Sequence, residues 1–322
     1  MQPLLSIVIA NYNYGRFLED AIQSVLSQSC QDFELVICDG GSTDASVEII
    51  KKYAKELPPN TSYYEWITAQ QALTTNGQRL TTKLTWWCSE KDKGQSDAFR
   101  KGFAQSRGKF LTWLNADDVM LPKTIEKLKL GAEKYPKCEW FVGGCVWLDP
   151  LLRIFKCGRA RHFSAYRAKF GNVSVSGPSS FFSQNLYDRV GGIDECFKYT
   201  MDMDLWLRFV IQGNAVYRLI ASYVWGLRLH PEAKMSGHKF RADGTIMDGN
   251  ESRIAFLKNI ERLDQIKKER QLTLQKTSCR GDAMPYFARL FSADISQSLL
   301  SRYDTWRLKG KALRDVMALI VD

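Results

Sequence analysis

Over the first 115 residues, short apolar runs alternate with helix-patterned segments, and this alternation restricts the chain more than any other feature. Leu4-Leu5-Ser6-Ile7-Val8-Ile9 is a β-branched run of the kind that is buried on both faces. Asn11-Tyr12-Asn13-Tyr14-Gly15 breaks it, and Phe17, Ala21, Val25 and Leu26 then recur at helical spacing. Phe33–Cys38 reads as a second strand ending at Asp39. Gly40-Gly41-Ser42-Thr43-Asp44 turns the chain, and Ala45–Lys55 resumes the helical pattern. Leu84–Cys88, Gln95–Ser106 and Phe110–Leu114 repeat strand, helix and strand. This order predicts an α/β fold: a mostly parallel central sheet flanked by helices, with ligands at the carboxyl ends of the strands.

Elsewhere the pattern changes. Pro58–Lys83, with Asn76-Gly77 between Thr-rich runs, predicts an inserted hairpin or long loop. After Pro150, β-type residues and turns give way to helices at Gln184–Val190 and Asp202–Gln212, and Ala215–Leu229 reads as strand pairs. From about Glu251 the pattern is helical to residue 322. In Asp304–Ile320, Trp306, Leu308, Leu313, Val316 and Leu319 stand among Arg302, Arg307, Lys309, Lys311 and Arg314.

Composition removes several classes. A chain of 322 residues, 45% apolar and 25% charged, suits one large α/β domain or two ordinary ones and excludes global disorder. Eight cysteines without a C-x-x-C pair argue against a disulfide scaffold and a zinc module, and predict reduced thiols in a cytosolic protein. The seven-residue run Leu4–Ala10 lacks a basic n-region and falls far short of the roughly 20 residues of a membrane span. The expected location is therefore the cytoplasm, or the cytoplasmic face of an inner membrane. The net charge of +10 suits nucleic acid, anionic lipid or phosphorylated ligands alike, and residues 251–322 hold 14 basic against 9 acidic side chains.

Carboxylates fall at the predicted strand ends: Asp39 after the second, Asp117-Asp118 after the fourth, and Asp202-Met203-Asp204 at the start of a later helix. Convergence there would supply a hard divalent cation shared with phosphates, Mn²⁺ or Mg²⁺. Helix capping is the plainer alternative. It is the better reading for Asp44 and the worse for Asp117-Asp118, since adjacent acids repel.

Five blocks then appear in a known order. Ser6–Asn13, Asp39–Asp44, Ser89-Glu90-Lys91-Asp92-Lys93-Gly94-Gln95-Ser96-Asp97-Ala98, Leu114–Asp118, and Val190–Glu195 leading to Met201-Asp202-Met203-Asp204 resemble family 2 glycosyltransferases of the GT-A fold. They span Leu4 to about His230. The resemblance implies a nucleotide-sugar-binding half over residues 1–118, an acceptor-binding and catalytic-base half of the same domain over 119–250, and a helical extension over 251–322. It implies inverting, non-processive transfer of a sugar from a nucleotide-sugar donor to a hydroxyl of a glycan or lipid-linked glycan in surface polysaccharide biosynthesis. Among the residues, it implies donor contacts at Ala10, Tyr12, Asp39 (the base), Asp97, Asn115 and Asp117 (the ribose). It further implies metal ligation by Asp118 with His230 close by, and Asp202 as catalytic base. Met201 stands where the family often has Glu, which leaves Asp204 as a rival base, although its spacing to Arg208 suits an ion pair. The Gln-x-x-Arg-Trp motif of processive synthases is absent.

Several residues keep two readings. His230 either approaches the diphosphate or packs, whereas His162 and His238 read as surface residues. Trp113 and Trp206 either build the core or stack on a sugar. Gly177–Phe182 either lines the site or forms a turn and strand. The C-terminal helices either dock on a membrane or pack on the domain. A nucleotidyltransferase would carry a Gly-rich, basic phosphate loop after the first strand, for which Asn11-Tyr12-Asn13-Tyr14-Gly15 is poor, and a nucleic-acid-binding protein would show a basic patch where carboxylates stand here; no nucleic-acid partner is expected.

Overall fold

Both faces of the central strands are apolar because helices cover both. The computed structural model describes residues 2–54, 83–161, 175, 177–197, 200–233, 300–313 and 315–316. β1 (Leu5–Asn11), β2 (Phe33–Asp39), β3 (Leu84–Ser89) and β4 (Phe110–Asn115) form parallel ladders in the order β3-β2-β1-β4. Beyond β4 the sheet continues through β8 (Ser180–Ser183), β6 (Trp140–Leu148), β9 (Tyr217–Arg228) and the two-residue β5 (Val119–Met120). β7 (Ile154–Gly158) pairs with the second half of β6. β5, β7 and β8 run against the other six strands, so the sheet is mostly parallel in direction.

Side chains alternate between two apolar layers. Leu5, Ile7 and Ile9 of β1 meet α1 (Gly15–Leu26) and α2 (Ser46–Ala54), while Val8 points to the opposite layer. That layer holds α3 (Gln95–Ala104), α5 (Gln184–Arg189) and α6 (Met201–Ile211); α4 (Thr124–Lys134) lies on the first face. Trp113 and Trp206 stack at 5.6 Å and Trp206 and Trp140 at 5.1 Å, all fully inside. A Cβ on Gly177 would meet the Trp113 ring at 2.5 Å, so only glycine lets the chain cross there. These tryptophans build the core, which removes the sugar-stacking reading.

The sequence expected strand pairs over Ala215–Leu229. One strand, β9, forms instead, because β6 offers it a parallel partner along its whole length, from Trp140↔Tyr217 to Leu148↔Arg228. A second correction concerns the C-terminal segment. A helix over 300–308 (α7) ends at Gly310, and the chain then runs along the free edge of β7. Ser301 Oγ and Thr305 Oγ1 accept the Arg159 and Cys157 N–H groups at 2.9 Å each, and the Ile154 N–H donates to the Lys311 carbonyl at 2.9 Å. Leu308, Leu313 and Val316 are buried against Val119, Val146 and Tyr223. These apolar residues therefore belong to the domain and not to a lipid phase. No described helix is long and apolar enough to cross a membrane. The hairpin expected at Pro58–Lys83 falls almost wholly outside the described residues, as do His162, His238 and residues 251–299. All seven described cysteines are free thiols.

Candidate active site

Parallel register brings the last residues of four strands into one row. Asn11 lies opposite Asp39, Asp39 opposite Ser89, and Ala10 opposite both Cys38 and Asn115. The Asp39 carboxylate is buried and accepts four hydrogen bonds: from Asn11 Nδ2 (2.6 Å), Ser89 Oγ (2.6 Å), Ser42 N (2.9 Å) and Ser42 Oγ (2.5 Å). It ties together three strand ends and the turn after β2. Tyr12 projects beyond β1 and is mostly exposed. Its ring and the Asp92 carboxylate converge over Gly40, where an added Cβ would meet Asp92 Oδ2 at 2.8 Å and the Tyr12 ring at 3.3 Å. Asp92 itself accepts the Gly94 N–H at 2.8 Å. Asp97 turns back on its own loop, accepting the Lys93 N–H at 3.0 Å. Asp44 accepts the N–H groups of Gly15 (2.8 Å) and Ser46 (3.0 Å), so it caps the starts of α1 and α2 as the sequence suggests.

The adjacent Asp117 and Asp118 have different surroundings. Asp118 has no exposed surface; Oδ1 accepts the Arg228 N–H at 3.0 Å and Oδ2 accepts Asn115 Nδ2 at 2.7 Å. Burial, and then the Asp117 charge, push its carboxyl well above the usual range. Asp117 keeps 13% of its side chain exposed and lies 3.1 Å from His230 Nε2. Burial raises its carboxyl as well, against the lowering hydrogen bond to His230. His230 is buried between Tyr14 (5.6 Å) and Phe17 (4.5 Å), and its Nδ1 is buried with no hydrogen-bond partner. Tyr14 donates its hydroxyl to the Glu232 carbonyl at 2.8 Å, holding the chain after β9 against α1. Burial and the Asp117 charge push that phenol up to about 12. Arg228 spans to Asp20 (2.9 Å) and covers the Phe17 ring.

A line of contacts joins this corner to α6. Asn115 Oδ1 accepts Gln95 Nε2 at 2.7 Å, and the next residue, Ser96, donates to the Phe197 carbonyl at 2.5 Å and touches Met201 Sδ at 3.1 Å. The starts of α3 and α6 are thereby locked together. Asp202 sits half-buried on the first turn of α6, where Oδ1 accepts the Met203 N–H at 2.8 Å. Asp204 is buried and accepts Arg208 Nε (2.9 Å) and Nη2 (2.6 Å), while Arg208 Nη1 donates to the carbonyls of Val190 and Gly192. This is the ion pair that the spacing suggested.

Sequence reasoning missed Asp92, Ser89 and Gln95, although all three lie in the block from which it took only Asp97. Arg228, two residues before His230, was likewise given no role. Among the described residues no group of three potential metal-binding side chains is assembled. The Asp117–His230 contact, at 3.1 Å, is a side-chain hydrogen bond at the strand end.

Residues 6–70 and 88–173 match the model of glycosyl transferase family 2. An uncharacterized glycosyltransferase of Nostoc sp. is 32% identical over 124 residues, which are 38% of this chain and 31% of that protein. A PGL/p-HBAD biosynthesis glycosyltransferase of Mycobacterium bovis is 26% identical over 232 residues, 69% of this chain and 77% of that one. The crystal structure of S. aureus TarS 1–349 in complex with UDP-GlcNAc aligns over 74% of this chain and 62% of its own, at 14% identity and a TM-score of 0.54. The fold is therefore of the GT-A type. The chain belongs to glycosyl transferase family 2. It spans 31% and 58% of two of its curated relatives, from Nostoc sp. and Rickettsia prowazekii.

Proposed function

We propose that the chain is an inverting, cation-dependent glycosyltransferase that moves a sugar from a nucleoside-diphosphate-sugar to a hydroxyl of a glycan or lipid-linked acceptor, in surface polysaccharide biosynthesis at the cytoplasmic face of a membrane. The observation that carries this is the division of labour in Asp202-Met203-Asp204: Arg208 occupies Asp204 in the interior, while Asp202 stays half-exposed on the first turn of α6, whose start Ser96 ties to that of α3. Direct displacement at the anomeric carbon needs one general base and no carboxylate nucleophile. Asp202 accepts the proton of the attacking hydroxyl.

Asp117 and His230 hold a divalent cation, Mn²⁺ or Mg²⁺, which when bound offsets the charge that develops on the leaving diphosphate. In this reading Asp117 takes the metal role that the family resemblance gave to Asp118. Asp118 lacks exposure, and both its oxygens are engaged by Arg228 N and Asn115. It orients the strand end and Asn115. The nucleobase lies on the Tyr12 ring and is read by Asp92, while Asp39, saturated by four donors, sets the shape of the turn beneath it. Asn115 and Asp97 line the ribose side.

The donor is first sought among uridine nucleotides, since the S. aureus neighbour holds UDP-GlcNAc. Thermal-shift screening against UDP-, GDP- and dTDP-sugars, with and without Mn²⁺, is the test. One nucleotide class should stabilise the protein by about 2.7 kcal/mol at a hundredfold excess over Kd, and only with the cation. Equal stabilisation in chelator would remove the cation from the proposal, and no stabilisation by any donor would remove the transferase reading.

A further inference from the structure

The inner side of α7 is fastened by polar contacts as well as apolar ones. Asp304 is buried, accepts Arg159 Nε at 2.8 Å and also receives the Tyr223 hydroxyl. The outer side is a row at helical spacing: Leu300, Tyr303 and Trp306, exposed by 41%, 54% and 78%. Trp306 is the exposed tryptophan among those described; the others are buried or partly buried. Tyr303 and Trp306 lie 6.1 Å apart, and the Arg307 guanidinium stands 5.9 Å over the Tyr303 ring. Arg302, Lys309 and Lys311 are exposed around them, against one exposed carboxylate, Asp315, further along.

We propose that this face docks on a membrane surface rich in anionic lipid, with Trp306 and Tyr303 seated at the level of the headgroups and Arg302, Lys309 and Lys311 among their phosphates. Amphipathic aromatic rings and cations on long stems are the groups that such an interface accepts. Charge selects this occupant over a second copy of the chain. In a two-fold contact this cationic patch would face an identical cationic patch, so it repels itself while it complements an anionic bilayer. Docking acts on the catalytic end of the sheet because Leu308, Leu313 and Val316 pack on Val119, the residue after Asp118.

Flotation of the full chain with phosphatidylcholine vesicles, with and without phosphatidylglycerol, tests the proposal. The protein should float with the anionic vesicles, remain behind with the neutral ones, and be released as salt rises. A variant carrying Tyr303→Ser and Trp306→Ser should lose flotation while keeping a cooperative thermal transition. Arg302→Gln and Lys309→Gln should each weaken binding about fivefold; these exposed substitutions decide the matter if the double variant fails to fold. Equal flotation with neutral vesicles, or undiminished flotation of the variants, overturns the proposal. So does a concentration-dependent dimer that the double variant breaks while the wild type binds no vesicle.

Discussion

The acidic pair after β4 and the acidic pair that opens α6 bury one carboxylate each and leave its neighbour partly exposed, but they bury it differently. Asp204 is enclosed with the Arg208 guanidinium, whose Nε and Nη2 both donate to its Oδ2. Asp118 is enclosed with a backbone N–H, a side-chain amide and the Trp225 side chain, none of them charged, beside a second carboxylate. Dipoles do not cancel a charge, so the strand-end pair carries an electrostatic burden that the helix pair does not. A pair kept in that state is receptive to a cation at its partly exposed member, Asp117. A carboxylate already matched to arginine is a rigid mount for the residue two positions before it.

The largest effect should come from the exposed member of the helix pair. Asp202→Asn is expected to lower the transfer rate by about two to four orders of magnitude with donor affinity unchanged, read from kcat and from thermal shift separately. Its buried partner should behave in the opposite way. Asp204→Ala, which strands Arg208 in the interior, should cost about 3–5 kcal/mol of stability in urea unfolding. Activity falling before stability would make Asp204 the base.

At the strand end the contrast concerns cation affinity. Asp117→Asn should abolish Mn²⁺-dependent nucleotide binding by calorimetry, whereas Asp118→Asn, which disturbs only the orienting contacts, should weaken it about 10- to 100-fold. A reversed order would return the metal to Asp118. The smallest effect is a pH slope. Because burial raises the Asp118 carboxyl, the folded protein keeps a proton that the unfolded chain releases near pH 4. Cation-free stability therefore declines as pH rises from there through the raised folded range. Asp118→Asn lacks that contribution, so its stability relative to wild type should improve between pH 4 and neutrality. A constant difference would mean that Asp118 is not held in this way.

The sheet was readable because β1, β2 and β4 are apolar on both faces and are punctuated by turns, a pattern with few alternatives. The Asp204–Arg208 pair was readable because its spacing is local. The saturation of Asp39 was not, since two of its four donors come from residues 28 and 50 positions away and meet it only through strand register. Nor was the inward setting of Asp118, which depends on a backbone N–H 110 residues further along. Leu308, Leu313 and Val316 suited a bilayer or a core equally by pattern, and only the β7 edge decided between them.

That edge has a consequence for synthesis. The groups that close it, Ser301 and Thr305, lie 142 and 148 residues after the N–H groups they receive. At roughly 5–20 residues per second, a ribosome leaves β7 without its cover for about 7–30 seconds after the strand is made. During that interval an open strand edge can recruit a neighbouring nascent chain. Production of this protein should accordingly depend on chaperones that hold incomplete chains apart, and shortened products that end before residue 300 should collect in the insoluble fraction.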